Sequence, residues 1–234
     1  MALVKYGGGI IQMSGSIAGS VHARNHYGNY VRARTKPINP QSALQTEVRS
    51  AFGFIADRWA QTLTANQRTA WNLYGASVAM KNHLGETTYM TGYNHYFRAN
   101  TLIKRVYPST LMVDDGPVIF ELPAIDPTLA VTASEATQQL TITYDNTMDW
   151  ANEDPAWIWF FQGQPQNAQR NYFNGPWRKI GQVVGIIGGG TVTPHVADAV
   201  YAISEGQKQV IYARITRKDG RCSEVFRAEC SIDA

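Results

Sequence analysis

Cysteine is nearly missing from this sequence, acidic residues are missing from its first part, and the patterns that mark catalytic sites are missing throughout. Cys222 and Cys230 are the only thiols. Eight residues apart on one closing strand, they would stand about 26 Å from each other at ~3.3 Å per residue, beyond disulfide reach. Both read as free thiols, a usage that suits a reducing compartment at assembly. No run of eighteen apolar residues occurs, so no membrane-spanning helix is expected, and residues 1–6 carry no apolar stretch of signal-peptide length.

The chemical patterns fail one by one. There is no GxSxG elbow, and neither cysteine sits in a known nucleophile setting. His22 and His26 are four apart but flank a predicted turn, with no third ligand and no HExxH frame. Residues 185–190 are glycine-rich, yet no Lys-Ser or Lys-Thr follows and the spacing is not that of a dinucleotide fingerprint, so they read as a hairpin or loose loop. Asp114-Asp115 and Glu153-Asp154 are carboxylate neighbours whose side chains diverge in an extended chain, and each pair reads as a solvated turn. The expectation is a protein that is not an enzyme, with no cofactor and no metal.

Charge is scarce and uneven. Charged residues make up 17%, against ~25% in an average globular chain, which points to a surface partly covered by something else. Twelve Tyr, eight Phe and six Trp point the same way, since large amphipathic rings are favoured at subunit contacts; packing in two small cores accounts for most of them. The formal charge of +3 hides a division. Residues 1–105 hold twelve Lys or Arg against three acids, +9, and residues 106–234 hold nine against fifteen, −6. No acid precedes Glu47. The first part is suited to meet something negative, either nucleic acid or the acidic half of another copy or partner.

What is present centres on residues 24–71. Asn25-His26-Tyr27-Gly28-Asn29 is turn-prone and predicts a hairpin with strands over 17–24 and 30–36. Arg32, Arg34 and Lys36, two apart, would share one strand face. Asn39 as cap and Pro40 in the first turn predict a helix over 40–62. Its stripe is Leu44, Val48, Phe52, Ile55, Trp59 and Leu63 at helical spacing. Thr64 and Gln67 form a capping box for a second helix carrying Trp71, Tyr74 and Val78. So short a connection predicts an antiparallel pair with Trp59 and Trp71 buried between the helices. A loop over 81–90, marked by His83 and Gly85, leads to a third helix capped by Thr91, over 92–105, with Tyr96, Phe97, Ile103 and Val106 on its apolar side.

The flanks differ in kind. Residues 1–19 hold Gly7-Gly8-Gly9 and Ser14-Gly15-Ser16, too little apolar material for a core of their own, and read as an arm draped over a neighbour or as a frayed terminus. Residues 108–127 carry four prolines beside Asp114-Asp115-Gly116 and read as a linker. Beyond it the period becomes alternating, with strands predicted over 128–133, 139–144, 156–162, 178–184, 209–217 and 222–231 and an Asp219-Gly220 turn before the last. Trp157 or Trp159 would be the inward tryptophan of a central strand.

The predicted class is thus α+β. Residues 1–38 form an extended arm and β-hairpin, 39–107 a region of about three helices, 108–127 the linker, and 128–234 an antiparallel β-sandwich of immunoglobulin or fibronectin III type. Candidate partner-binding residues are Arg24, His26, Tyr27, Tyr30, Arg32, Arg34 and Lys36, whose charges could meet phosphates or an acidic protein surface while the rings pack. The loop over 163–177 is longer than a sandwich needs, which makes Arg170, Tyr172, Phe173 and Trp177 a second contact set.

In chain order, G-S-I-A-G-S-V, R-N-x-x-G-N-Y-V-R-x-R, P-x-N-P-x-S-x-x-Q-x-x-V-R and L-T-x-x-Q-R-x-A-W resemble a family of uncharacterised proteins of tailed bacteriophages and prophages. The resemblance covers approximately the whole chain, because those relatives also end in an immunoglobulin-like sandwich. It brings no catalytic residues. It implies a virion component assembled in the host cytoplasm: a capsid decoration or stabilising protein, or one associated with head, neck or tail. Such a protein would grip other virion proteins and copies of itself through its N-terminal arm, project the sandwich, and have no membrane partner. Two other classes stay open, a nucleic-acid-binding accessory protein and a carbohydrate-binding adhesin or tail-fibre-type module using the 163–177 loop.

Overall fold

Two tight turns organise the start of the chain into a sheet rather than a bare arm. Strands β1 (Ala2–Leu3), β2 (Gly15–Ile17), β3 (Ser20–Asn25) and β4 (Gly28–Ala33) lie antiparallel in the order β1-β4-β3-β2. The β3–β4 register closes at Asn25 and Gly28, so the turn is His26-Tyr27 alone. Asn25 Oδ1 accepts from Tyr27 N at 3.0 Å, and Gly28 takes φ 119°, which a side chain would resist. Residues 2–3 and 15–17, expected to lack structure of their own, supply two of the four strands. Yet Ala51 is the first buried residue of the described chain. The computed structural model describes residues 2–82, 84–107 and 112–234; Met1, the loop marker His83 and the head of the expected linker, 108–111, lie outside them.

Helix α1 (Ala43–Asp57) begins later than Asn39 and Pro40 predicted. Asn39 Oδ1 accepts from Gln41 N at 3.4 Å, and Gln41 turns to φ 49°, which breaks any helix started at Pro40. Ser42 then caps, accepting from Gln45 N. The helix continues as a π turn over Arg58–Thr62, closed by Leu63 N donating to Arg58 O at 3.0 Å. The buried line runs through Ala51 and Ile55, while Leu44 and Phe52 of the expected stripe are 44% and 45% exposed.

Helix α2 (Ala65–Ser77) opens with the predicted capping box: Gln67 N donates to Thr64 Oγ1 and Thr64 N to Gln67 Oε1. Trp71, Tyr74 and Val78 are buried as expected. Trp59 is not enclosed between helices; it is half-buried and meets Tyr93 edge-on at 5.5 Å. The expected 81–90 loop is partly a hairpin, β5 (Ala79–Lys81) with β6 (Thr87–Tyr89). Helix α3 (Gly92–Val106) carries the predicted cap, Asn94 N donating to Thr91 Oγ1 at 3.3 Å.

The chain divides into two compact units, Met1–His95 and Tyr96–Ala234. The division falls inside α3, whereas a boundary was expected after residue 107. The reason lies in the second unit. Ile103 packs with Trp157, Trp159 and Phe161, and buried Asn100 holds both backbone groups of Val113, its Nδ2 donating to Val113 O at 3.0 Å and its Oδ1 accepting from Val113 N at 2.8 Å. Val113 is therefore tied down rather than part of a loose linker.

The second unit is a β-sandwich. Its strands are β7 (Ala130–Ser134), β8 (Gln139–Thr143), β9 (Trp157–Gly163), β10 (Gln166–Asn167), β11 (Trp177–Val184), β12 (His195–Asp198), β13 (Gln207–Thr216) and β14 (Phe226–Asp233). One layer runs β11-β9-β13-β14 and the other β7-β8-β12. β14 joins them: its residues 226–231 pair antiparallel with β13, and Ile232 and Asp233 pair parallel with β7. Between the layers lie Leu140, Ile142, Ile158, Phe160, Ile211 and Ile215. The inward aromatic of β9 is thus Phe160, and both Trp157 and Trp159 face the other way. Every β9 residue is buried, because Ile103 covers the outer face; with two apolar faces, alternation could not say which was inward. Short β10 and β12 were not expected. The last strand starts at Phe226 rather than Cys222, which sits in the turn and bridges to Thr216.

Candidate interaction surfaces

Pleating separates the basic residues that the sequence grouped. Ala23 pairs with Tyr30 and Val21 with Arg32, while Arg24 pairs with Asn29 and His22 with Val31. Paired residues share a face and successive ones alternate, so Arg24 projects opposite to Tyr30 and Arg32. Arg34 N still bonds Gly19 O, but Lys36 lies past the strand. Arg24, Arg32, Arg34 and Lys36 are all exposed, on two faces and a tail rather than in one stripe. Arg24 Nη1 donates to Gln12 Oε1 at 3.2 Å.

His26 and Tyr27 act inside the first unit. His26 Nε2 donates to Tyr89 O at 2.6 Å, and Tyr27 Oη accepts from Asn94 Nδ2 at 3.4 Å. These bonds pin the hairpin tip to β6 and the first turn of α3. Lys5 Nζ meets Glu86 Oε1 at 2.5 Å, and that contact, aided by Asn82, holds the Glu86 carboxyl below its ordinary range. Tyr6 and His22 are joined at 3.0 Å. The sheet is therefore moored by polar contacts and not by a core. Leu3, Val21, Ala23, Tyr30 and Val31 of its strands are half-buried, while Ile17 of β2 is 60% exposed, Ile11 between β1 and β2 84%, and Ile38 beyond β4 89%. Sequence reading passed over these isoleucines; the available signal was branched aliphatics standing among Gly and Ser with no period to place them in a core.

The 163–177 loop divides in two. Phe173 is buried and meets Trp177 edge-on at 4.9 Å; Trp177 meets Tyr212 at 4.8 Å, and Tyr212 stacks on Phe161 at 4.4 Å. Burial pushes the Tyr212 hydroxyl above its usual pKa, against the pull of Arg214 and Arg105. Phe173 and Trp177 are thus structural. Arg170 and Tyr172 face outward, Tyr172 being 70% exposed. Arg170 Nε donates to Tyr172 O at 3.0 Å and Nη1 to Gln166 Oε1 at 2.6 Å. Arg227 of β14, not anticipated, lies 5.4 Å over the Trp177 ring and donates Nη1 to Phe173 O at 3.0 Å. Arg170, Phe173 and Arg227, with Asn171 and Glu229, line a pocket of about 280 Å³.

Titratable groups elsewhere serve the fold. Glu153 is no solvated turn: Arg217 grips it through Nε at 2.7 Å and Nη2 at 2.5 Å. Burial pushes the Glu153 carboxyl up, and the Arg217 bonds and charge outweigh it, leaving it below the usual range. His195 stacks on Phe160 at 5.6 Å, and burial lowers its pKa. Burial, reinforced by Asp233, pushes the Cys230 thiol up to about 11. Both cysteines are free. Among the described residues, no three His, Cys, Asp or Glu converge as metal ligands, and no helix is long and apolar enough to cross a membrane.

No protein-family model and no curated protein matches this chain. Among solved structures it is similar to an Fn3-like protein from Clostridium thermocellum, with 14% identity over 48% of this chain and 95% of that one, at a TM-score of 0.30.

Proposed function

We propose that this chain is a non-enzymatic structural protein of a tailed-bacteriophage virion, a capsid decoration or stabilising protein or one at the head, neck or tail. Its sandwich is then of immunoglobulin or fibronectin III type, a reading supported by two antiparallel layers with crossings between them after β8, β11 and β12. The observation that carries the functional reading is the first sheet. Four strands are built from residues 2–33, and no described residue before Ala51 is buried. A sheet normally needs an apolar face packed on something to stand. Here exposed Ile17 and the exposed arginines offer surface to neighbouring subunits, in keeping with the resemblance of the glycine-rich and basic motifs to those of phage proteins.

The test is mass spectrometry and a reconstruction of washed particles from the phage or prophage that encodes the chain. The expected result is stoichiometric copies with residues 2–36 packed on other chains. A chain absent from particles, or present with that sheet bare to solvent, refutes the proposal. The nucleic-acid reading draws less support, because Arg24 and Arg32 project from opposite faces and form no continuous phosphate track.

A further inference from the structure

The pocket beside the 163–177 loop has a composition that selects a ligand class. Arg170 and Arg227 each give some of their five N–H donors to loop oxygens, two from Arg170 and one from Arg227. Three donors remain on the first and four on the second, counted from the same five. Neither forms an ion pair with a carboxylate among the described residues. Both guanidiniums are already held in place, so binding need not order them, and a guanidinium edge matches a carboxylate bidentately. The rest of the lining is not that of a bare anion site. Glu229, held by Lys208 at 2.8 Å, contributes acceptor oxygens, exposed Asn171 an amide, and Phe173, Val210 and Ala228 apolar lining.

We infer that this pocket binds an acidic sugar, a saccharide residue bearing a carboxylate. The carboxylate meets the free edges of Arg170 and Arg227. Ring hydroxyls donate to Glu229 and exchange hydrogen bonds with Asn171, and the C–H face of the ring lies toward Phe173. A neutral sugar leaves the guanidinium donors unused, and inorganic phosphate has no C–H face to set against the apolar lining and meets repulsion from Glu229. The volume, about 280 Å³, is just under the ~300–1,000 Å³ of drug-sized sites and suits one sugar ring with its substituents. The inference concerns the sandwich alone and does not depend on the virion reading.

The test is titration calorimetry of the full chain at low salt with three probes: a glucuronate-terminated disaccharide, its neutral glucose-terminated counterpart, and inorganic phosphate. The acidic disaccharide is expected to bind at about 1 mM or tighter, and the other two at least ~10-fold more weakly, as loss of charge-assisted bonds implies. Arg170→Gln should weaken the acidic disaccharide by about tenfold, and Asn171→Ala should weaken it by less. Neither residue braces Trp177, as Arg227 does, so unchanged near-ultraviolet dichroism keeps these variants interpretable. The inference is overturned by no binding of the acidic disaccharide at about 10 mM, by equal affinity for the neutral disaccharide or for phosphate, or by undiminished affinity in Arg170→Gln.

Discussion

Replacing Gly75 by alanine should loosen the first unit, although alanine is the better helix former. A Cβ at Gly75 of α2 would stand 2.5 Å from Met90 O, 2.7 Å from Gly92 N and 2.9 Å from Thr91 C. The contact is reciprocal, since a Cβ at Gly92 would stand 2.4 Å from Asn72 N and from Trp71 C. All of these are backbone atoms, which cannot rotate aside as a side chain would. Reaching ordinary contact near 3.4 Å requires the start of α3 to retreat by about 0.9 Å, and a gap of 0.5–1 Å forfeits roughly a quarter to a half of each dispersion contact across it. Overpacking of this kind costs about 1–3 kcal/mol and sometimes more. The gain in helix propensity offsets about 1 kcal/mol of that at Gly75 and less at Gly92, the first residue of its helix. Net destabilisation of up to about 2 kcal/mol is expected for Gly75→Ala and up to about 3 kcal/mol for Gly92→Ala. A unit of this size melts about 4–8 °C lower per kcal/mol, read from far-ultraviolet dichroism. Gly53, in α1 with nothing within 4 Å of its Cβ position, is the control, and Gly53→Ala should stabilise by about 0.5–1 kcal/mol. If Gly75→Ala raises the melting temperature as Gly53→Ala does, the close crossing is not what that glycine is for.

Four further outcomes are expected. Burial holds the folded-state pKa of His195 below its ordinary 6.5, so the unfolded chain binds the proton first. The stability His195 contributes is fully present above pH ~6.5 and is lost as pH falls below that toward and through the depressed folded-state pKa, and His195→Leu should flatten the denaturation midpoint on the acid side of pH ~6.5. Arg217→Ala should cost roughly 2 kcal/mol in urea unfolding, below the ~3–5 of a fully buried pair because Glu153 is partly exposed; a change near zero would mean that the bidentate pair is idle. Cys230, with its thiol near pKa 11, should alkylate at pH 8 about a hundredfold more slowly than an unperturbed thiol, as mass spectrometry of iodoacetamide-treated protein would show. Arg32→Glu with Arg34→Glu should leave the melting temperature within about 2 °C, since both are exposed, one near the end of β4 and one just past it, yet reduce incorporation into particles; full incorporation would rule out these arginines as a gripping surface.

Local chemistry was legible where neighbours in sequence supply both partners of an interaction. The Thr64–Gln67 box, the Thr91 cap and most sandwich strands needed only residues a few positions apart, and α2 buries the tryptophan its spacing assigned. The candidate sites were legible as composition but not as arrangement. Arg24 and Arg32 are alike in sequence, and a turn of two residues instead of five decides which face each takes. Arg227, which completes the pocket with Arg170, is 57 residues further along the chain, and no pattern in either segment names the other.

The sequence by itself determined where α2 and α3 cap, which stretches alternate, and that the first forty residues hold too little apolar material for a core of their own. Tertiary structure decided the rest wherever two readings were equal in local energy. β9 carries Ile158 and Phe160 on one face and Trp157, Trp159 and Phe161 on the other, and only the arrival of Ile103 from α3 settled which face looks into the sandwich. Glu153 became a half-buried ion-pair partner because Arg217 reaches it from 64 residues away. Propensity acts between near neighbours, whereas burial and charge pairing act between whatever the fold brings together.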